Sequence, residues 1–218
     1  MFKIALIGQK GGIAKSTISM GLSVAAALAG HDSAVIDLDP QATVAKWKDR
    51  RAADNPAVVS AQASRLEPAL VAAERSGVGF VVLDTSGRSD NSAMAAARVA
   101  DLVLIPTSAS LADLETLPQV KDVLRVAGAK AAYVVLNGVH PSAKDASIAE
   151  TLAILEGLYD LPVCPVHLCW RNAYKDALVS GSTPQELDPG GRAGSELAAL
   201  FRFVSELVQQ RTSELVQA

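Results

Sequence analysis

The sequence predicts an α/β fold, a doubly wound and mostly parallel sheet of about seven strands with helices on both faces. Short apolar runs rich in β-branched residues alternate with longer runs rich in alanine and leucine. Most of the strand candidates are continuously apolar, as expected where both faces of a sheet are covered. Half of the 218 residues are hydrophobic, so a single domain spanning residues 1–218 is the simplest organisation.

Each predicted strand is followed by a predicted helix. Strands are expected at 3–8, 33–39, 57–61, 79–85, 101–107, 131–137 and 162–168. Helices are expected at 15–30, 42–53, 65–76, 91–99, 111–127, 145–158, 172–180 and 193–212. The stretch "STPQELDPGGRAG" is expected to be a loop before the last helix. Ligands bind beyond the carboxyl ends of such strands, so the polar residues that close the strands are functional candidates.

Composition and charge narrow the classes of protein to consider. The formal net charge is −3 and no long run of one charge occurs, which argues against a strongly basic clamp for nucleic acid, although a local patch remains open. Two cysteines do not form a disulfide framework, and they favour a reducing compartment. The start "MFKIALIG" is too short and strand-like for a signal peptide. No apolar run reaches the roughly 18 residues of a membrane span, so we expect a cytoplasmic protein.

The segment "GQKGGIAKS", residues 8–16, fits the phosphate-loop pattern G-x-x-x-x-G-K-[ST] except that alanine replaces the second glycine. It lies between a predicted strand and a predicted helix, as a P-loop NTPase requires. Its backbone N–H groups are expected to wrap phosphate oxygens, with Lys15 on the β and γ phosphates and Ser16 on Mg²⁺. The expected nucleotide contacts are Gly11, Gly12, Ile13, Ala14, Lys15, Ser16 and Thr17. The alternative is an ordinary glycine-rich turn.

A second lysine, Lys10, lies at the outer edge of this loop and is not explained by the phosphate cradle. We expect its side chain to point away from its own nucleotide. A cation there can neutralise phosphate charge in a second subunit across a two-fold axis, like an arginine finger supplied in trans. The alternative is a solvated surface lysine.

Three aspartates close two of the predicted strands. Asp37 and Asp39 in "VIDLDPQ" are two residues apart on a strand and are expected on the same side, near Mg²⁺ and the attacking water. We assign the water-positioning role to Asp39, and a role in the metal shell or the loop to Asp37. Asp84, which ends "FVVLD", is expected to be a second carboxylate for Mg²⁺, acting through a water, and Gly87 to allow close approach of the backbone to the γ-phosphate. The alternative for the first pair is a cap on the next turn.

Together these motifs resemble the ParA/MinD family of deviant Walker-A ATPases. The resemblance is carried by "KGGIAKST", "DLDPQ", "VVLDTSG" and "LIPTSASLADL". It extends from Met1 to about Leu207 and is closest to the small partitioning ParA proteins that lack an N-terminal DNA-binding domain.

The resemblance implies a Mg²⁺-dependent ATPase that binds ATP and ADP, hydrolyses ATP slowly and forms a homodimer when ATP is bound. It makes Lys10 the signature lysine that contacts nucleotide across the dimer, and Lys15 the phosphate lysine within one subunit. It makes Ser16 the Mg²⁺ ligand, Asp39 the switch carboxylate and Asp84 the Walker-B residue. It also implies a nucleoid-associated protein that binds nonspecific DNA, with a ParB-like centromere-binding partner that stimulates hydrolysis.

Further contacts are expected later in the chain. The amide of Asn137 is suited to adenine N6 and N7, although an asparagine that starts a turn is the alternative. Arg171 and Lys175 are expected to contact DNA phosphates without reading sequence, with Arg192 and Arg202 extending the patch in a dimer. Each of these cations is otherwise a solvated surface residue.

Two further patterns have plain structural interpretations. "CPVHLC" suggests a metal site, but buried structural cysteines are favoured because no second CxxC pair exists. The last helix carries an apolar stripe that is expected to pack on the sheet, since its polar face is mixed rather than basic. That stripe comprises Leu197, Leu200, Phe201, Val204, Leu207 and Val208.

The same motifs also occur in nucleotide-binding proteins with other functions. One is a membrane-associated positioning ATPase like MinD, and another is a carrier that positions a cargo other than DNA. A metabolic enzyme, such as a cobyrinate-amidating or dethiobiotin-forming synthetase, is disfavoured by Lys10. The nitrogenase iron protein type is disfavoured because Cys164 and Cys169 lie too late in the chain.

Overall fold

Parallel strands form one continuous sheet at the centre of the molecule. The computed structural model describes residues 1–87 and 90–217, with only the helical backbone at residues 90 and 211–217. Its strands are β1 (Phe2–Leu6), β2 (Ser33–Asp37), β3 (Ala57–Ser60), β4 (Phe80–Asp84), β5 (Leu102–Thr107), β6 (Ala132–Val139) and β7 (Leu168–Cys169). They are ordered β3-β2-β4-β1-β5-β6-β7, and every pairing is parallel. This confirms the predicted doubly wound α/β fold.

Helices cover both faces of this sheet. They are α1 (Lys15–Leu28), α2 (Thr43–Lys48), α3 (Leu66–Arg75), α4 (Asp90–Val99), α5 (Leu111–Leu114), α6 (Leu117–Ala127), α7 (Asp145–Tyr159), α8 (Ala173–Val179), α9 (Pro184–Leu187) and α10 (Arg192–Gln217). One core joins the sheet to α3, α4, α6 and α7, and the other joins it to α1, α2 and α10. Alternation along β1 divides its side chains between them, since Ile4 and Leu6 face one core and Ala5 the other.

The last helix packs on the sheet as predicted. Leu197, Leu200 and Val204 are fully buried, and the ring of Phe201 meets that of Phe80 edge-on at 5.6 Å between centroids. A Cβ on Gly21 of α1 would lie 2.7 Å from a methyl of Leu197, so small residues on α1 let α10 approach closely. Among the described residues, no helix combines the length and the apolar character needed to cross a membrane.

The predicted seventh strand is largely wrong, and its prolines explain why. Only Leu168–Cys169 form a strand, preceded by an isolated bridge between Val134 and Val163. Pro162 and Pro165 have no N–H to donate to the neighbouring strand. Pairing with β6 is therefore interrupted and resumes only at Leu168.

Two helix predictions also need correction. The predicted helix 111–127 is two helices, because the ring of Pro118, at the start of α6, is incompatible with a continuous helix through that position. The predicted loop "STPQELDPGGRAG" contains α9, where the Thr183 N–H donates to Glu186 Oε2 at 2.9 Å. The spacing T-x-x-E is a capping signature that could have indicated this turn.

The two cysteines are free and buried, as favoured from the sequence. Burial raises the pKa of the Cys164 thiol to about 11, which leaves it protonated at neutral pH. Within the described ranges, no three histidine, cysteine or carboxylate side chains form a group that could hold a metal ion.

Candidate functional site

The phosphate-loop segment connects β1 to α1 at the carboxyl edge of the sheet. Two of its residues adopt left-handed backbone conformations, Gly12 with φ +81° and Ala14 with φ +68°. The helix begins at Lys15, directly after Ala14. The position where the pattern calls for glycine therefore has the backbone that glycine favours, and an alanine there costs about 1 kcal/mol.

Lys15 is buried inside the loop. Its ammonium donates to the backbone oxygen of Lys10 at 2.7 Å, and the residue is only 7% exposed. Burial lowers the pKa of Lys15, while the nearby carboxylates of Asp84 and Asp39 act in the opposite direction. The loop thus holds a desolvated cation among its own backbone groups, where an anionic ligand would be attracted strongly.

Asp84 is the most deeply buried carboxyl group of the site. Ser16 Oγ donates to one of its oxygens at 2.7 Å, and Ser19 Oγ donates to the other at 2.9 Å. Burial, together with the nearby Asp37 carboxylate, raises the pKa of Asp84 to about 7, against the effect of the two hydroxyls and Lys15. Ser19 is not among the site residues predicted from the sequence. Its spacing of three from Ser16 on α1, which puts both hydroxyls on one helical face, is the signal that could have found it.

Asp37 and Asp39 have different environments, because the strand predicted at 33–39 ends at Asp37. Asp37 is 1% exposed and accepts hydrogen bonds from the N–H groups of Asp39, Val44 and Ala45. Burial raises the pKa of Asp37, against these bonds. Asp37 thus anchors the loop and the start of α2, one of the roles expected for it. Asp39 lies in the following turn and accepts from the Gln41 N–H at 2.9 Å.

The segment after β4 packs directly against the phosphate loop. Thr85 Oγ1 donates to the backbone oxygen of Leu6 at 2.6 Å. A Cβ on Gly87 would lie 2.4 Å from the backbone oxygen of Lys10, so only glycine fits this approach without displacing the loop. The side chain of Lys10 turns to α5, where its ammonium is 3.0 Å from Asp113 Oδ1.

A cleft of about 540 Å³ opens above the loop. Its loop side is formed by residues that include Gly11, Lys15, Thr17, Asp39 and Gly87. Its opposite side comes from the ends of β6 and β7 and from α8, namely Asn137, Gly138, Leu168, Cys169, Trp170, Arg171, Tyr174 and Lys175. The described lining does not include Lys10. Most of the predicted nucleotide contacts are thereby brought to one cavity, and their contact with nucleotide stays a prediction.

The side chains predicted to bind DNA are partly engaged within the subunit. Arg171 donates through Nε and Nη2 to Glu196 Oε1, and the Cys169 N–H donates to the other oxygen of that carboxylate at 3.0 Å. The ammonium of Lys175 lies 5.1 Å from the centroid of the Trp170 ring. Their contact with DNA stays a prediction.

The structure does not bring the two remaining predicted cations together. Arg192 and Arg202 are both exposed on α10. Ten residues of α-helix separate their backbones by about 15 Å. Arg192 lines a cavity together with Trp170 and Arg171, and the contact of Arg192 and Arg202 with DNA in a dimer stays a prediction.

Comparisons with known proteins agree with this site. A family model described as the CobQ/CobB/MinD/ParA nucleotide binding domain matches residues 4–184. Similar solved structures include the MinD cell division protein of Aquifex aeolicus, with a TM-score of 0.74, 14% identity and coverage of 94% of this chain and 97% of that one. Apo McdA of Cyanothece matches with a TM-score of 0.73, 16% identity and coverage of 95% and 99%. A putative plasmid partition protein of Borrelia burgdorferi bound to AMPPNP matches with a TM-score of 0.70, 15% identity and coverage of 94% and 98%.

Curated relatives match over shorter stretches. Protein VirC1 of Rhizobium rhizogenes is 30% identical over 112 residues, 49% of this chain and 48% of VirC1. An uncharacterized protein of Methanocaldococcus jannaschii is 51% identical over 41 residues, 19% of this chain and 16% of that protein. The chain therefore matches half or less of each curated relative, whereas the family model covers most of the chain. On that match and on the loop, carboxylates and sheet order described above, the chain belongs to the CobQ/CobB/MinD/ParA nucleotide-binding domain family.

Proposed function

We propose that this protein is a Mg²⁺-dependent ATPase that dimerises around bound ATP and positions DNA, a plasmid or a chromosome, by cycles of binding and slow hydrolysis. The observation that carries the proposal is the division between the two lysines of the loop. Lys15 lies inside the cleft, where it serves the nucleotide of its own subunit. Lys10 lies outside the cleft lining with its side chain 39% exposed, so it is available to a second subunit.

The residues present fit a magnesium nucleotide. Hard oxygen donors are the ligands that Mg²⁺ prefers. Ser16 lines the cleft, and its Oγ lies 2.7 Å from Oδ2 of the fully buried Asp84. In the proposal Ser16 holds the ion, with Asp84 and Asp39 on its water shell. When it is bound, the ion would neutralise part of the phosphate charge. The loop N–H groups and Lys15 bind the phosphate oxygens, and Asn137 contacts the base.

Hydrolysis is assigned to Asp39. Its carboxylate lines the cleft in a turn after β2, anchored next to buried Asp37. A carboxylate there orients a water and accepts its proton. Because the turn is not part of the sheet, its position can respond to the nucleotide. We therefore expect slow turnover in the isolated protein, with a ParB-like partner accelerating it.

The cargo assignment to DNA rests on the cations beside the cleft and on the relatives. Lys175 is exposed on α8, while Arg171 is tied to Glu196, which makes Lys175 the sharper test of phosphate contact. The Borrelia burgdorferi relative is described as a putative plasmid partition protein. The apolar stripe of α10 packs against the core on the sheet, which disfavours a role for this stripe in membrane binding. Lys175→Ala is expected to lower DNA affinity severalfold and to flatten its salt dependence.

The experiment that tests the proposal is sedimentation velocity with Mg-ADP and with a nonhydrolysable ATP analogue. We expect dimers with the triphosphate analogue only, and dimerisation weakened at least tenfold in Lys10→Ala, because a charge-assisted contact to phosphate is lost in both subunits. Lys121→Ala is the matched control, since that lysine pairs with the exposed Asp160 and lies outside the cleft lining. Retention of nonspecific DNA is measured on the same samples.

Two results would contradict the proposal. Wild-type protein that stays monomeric with the triphosphate analogue at every concentration would remove the ATP-bound dimer. Dimers that form equally well in Lys10→Ala and Lys121→Ala would remove the role given to the first lysine. Dimers that form with the triphosphate analogue but do not retain DNA would keep the ATP-bound dimer and would show that its cargo is not DNA.

A further inference from the structure

The backbone of Lys10 is fixed on two sides, so only its side chain has freedom. Its carbonyl oxygen accepts from the Lys15 ammonium at 2.7 Å. The backbone of Gly87 packs against the same carbonyl so closely that a Cβ would lie 2.4 Å from the oxygen. The direction of the Lys10 ammonium is therefore set by what its side chain contacts rather than by movement of the loop.

That contact is an ion pair with Asp113 on α5. The ammonium lies 3.0 Å from Asp113 Oδ1, and the side chains are 39% and 16% exposed respectively. Residues 10 and 113 are far apart in the chain, and they meet because the end of β5 lies beside the end of β1. Because the Lys10 side chain is partly exposed, this ion pair contributes little to stability and is separated at a small cost.

The carboxylate of Asp113 is oriented by its own surroundings before Lys10 reaches it. Ser108 Oγ donates to Asp113 Oδ2, and Ser110 caps the first turn of α5 by accepting from the Asp113 N–H. Burial raises the pKa of Asp113, but the hydrogen bonds from Ser108, Lys10 and Ser110 outweigh it and hold the pKa below its usual value. Asp113 is thus a charged and directed acceptor at neutral pH.

We propose that Asp113 is a positioning residue that holds Lys10 against its own subunit and thereby sets the threshold for dimerisation. This inference rests on the proposed function, because it needs Lys10 to act across a dimer. The Asp113 carboxylate, 3.0 Å from the ammonium, competes with a phosphate of a second subunit for Lys10 and repels that phosphate. Each dimer requires two such pairs to separate, so a triphosphate, which carries more charge than a diphosphate, competes better for the lysine.

The test is the dimer dissociation constant of Asp113→Asn, measured by sedimentation velocity with Mg-ATPγS and with Mg-ADP. The amide keeps the shape of the side chain and can still accept from Ser108, but the ion pair is lost. We expect dimerisation with Mg-ATPγS about fivefold to thirtyfold tighter than in wild type, as two weak ion pairs need no longer be broken. Asp122→Asn, which breaks an exposed pair with Arg125, is the control and should match wild type.

A double variant separates an effect through Lys10 from a merely structural one. In the Lys10→Ala background, Asp113→Asn is expected to change the dissociation constant by less than about twofold, since the residue through which it acts is absent. Ser108→Ala, which removes the bond that orients the carboxylate, should tighten dimerisation in the same direction by a smaller factor. It serves as the second variant if Asp113→Asn folds poorly.

The possible outcomes distinguish this inference from the proposed function. If wild type dimerises and Asp113→Asn dimerises equally or more weakly, the role given to Asp113 is wrong and the ATP-bound dimer stands. If the gain persists without Lys10, Asp113 acts by another route and the inference also fails. If neither wild type nor Asp113→Asn forms dimers, both the inference and the proposed function fail.

Discussion

The two walls of the cleft are built in different ways. The loop wall uses backbone groups and buried side chains at strand ends, where Lys15 and Asp84 are held by serine hydroxyls and loop carbonyls. The opposite wall uses residues from the end of β6, from a two-residue strand, from the connection after it and from a seven-residue helix. There Trp170 is 56% exposed, and one ion pair, Arg171 with Glu196, connects the wall to α10.

This difference indicates that the two walls suit different kinds of ligand contact. The loop wall holds buried charged groups, and burial of a charge is costly unless close neighbours pair with it. Such an arrangement is expected where a site serves one ligand group, such as phosphate. The opposite wall has an exposed aromatic ring and an exposed lysine, Trp170 and Lys175, beside an arginine that is tied to Glu196. Such a surface suits contacts that form and break, as the proposed contacts with the base and with DNA would have to do.

Replacement of Asp84 should have the largest effect on the free energy of unfolding, because the pKa of this carboxyl group is raised furthest above its ordinary value. Its folded-state pKa of about 7 exceeds the ordinary value of 3.8, so the folded protein binds a proton that the unfolded chain releases. The group's contribution to stability is therefore full below pH 4 and is lost as the pH rises to about 7, by about 4 kcal/mol. Asp84→Asn should remove most of this loss.

The measurement is urea unfolding of metal-free protein in EDTA at several pH values between 4 and 8. The difference between wild type and Asp84→Asn is compared, because other carboxyl groups titrate in both. The free energy of unfolding of the variant should still fall as the pH rises, but by less, because the pKa of Asp37 is also raised by burial. Parallel curves for the two proteins would show that Asp84 is not desolvated as the loop wall requires.

Glu196→Gln tests the opposite wall and should have the next largest effect. Arg171 and Glu196 are 18% and 16% exposed, so removal of the carboxylate charge leaves a partly buried guanidinium without its counter-ion. We expect the free energy of unfolding to fall by about 2 kcal/mol, below the range for fully buried pairs. Asp122→Asn breaks a pair that is mostly exposed and should change stability by less than about 0.5 kcal/mol. Equal effects in the two variants would mean that the wall does not depend on this connection.

The sequence predicted the loop wall better than the opposite wall, for a physical reason. Gly12, Lys15, Ser16 and Asp84 follow from local patterns, since strand ends and helix starts position them almost unaided. Ser110 and Asp113 show a capping spacing, which indicates a helix start but not the partner across the sheet. Long-range partners of this kind are fixed by packing, which a single sequence does not encode locally.

The pairs formed by distant residues illustrate the same point on the opposite wall. Glu196 meets Arg171 because α10 packs against β7, and no spacing in the sequence joins them. The shortened seventh strand has a local cause instead, because apolar character predicted continuous pairing, whereas the structure has one bridge at Val163 and resumes pairing only at Leu168, after Pro165. The placement of side chains at a single strand end was predictable from the sequence, whereas contacts between distant elements were not.

Ala14→Gly tests the loop wall at its most strained point and should have the smallest effect. Ala14 has φ +68° at the start of α1, whereas Ala29, at the other end of the same helix, has φ −82°. Glycine at position 14 relieves left-handed strain of about 1 kcal/mol, which is offset in part by greater freedom of the unfolded chain and by loss of a methyl group that packs against the core. A net gain of about 0.5 kcal/mol is expected, and Ala29→Gly should lose a similar amount. Urea unfolding of the two variants checks the opposite signs, and a loss of stability in both would mean that the loop relaxes around Ala14 at no cost.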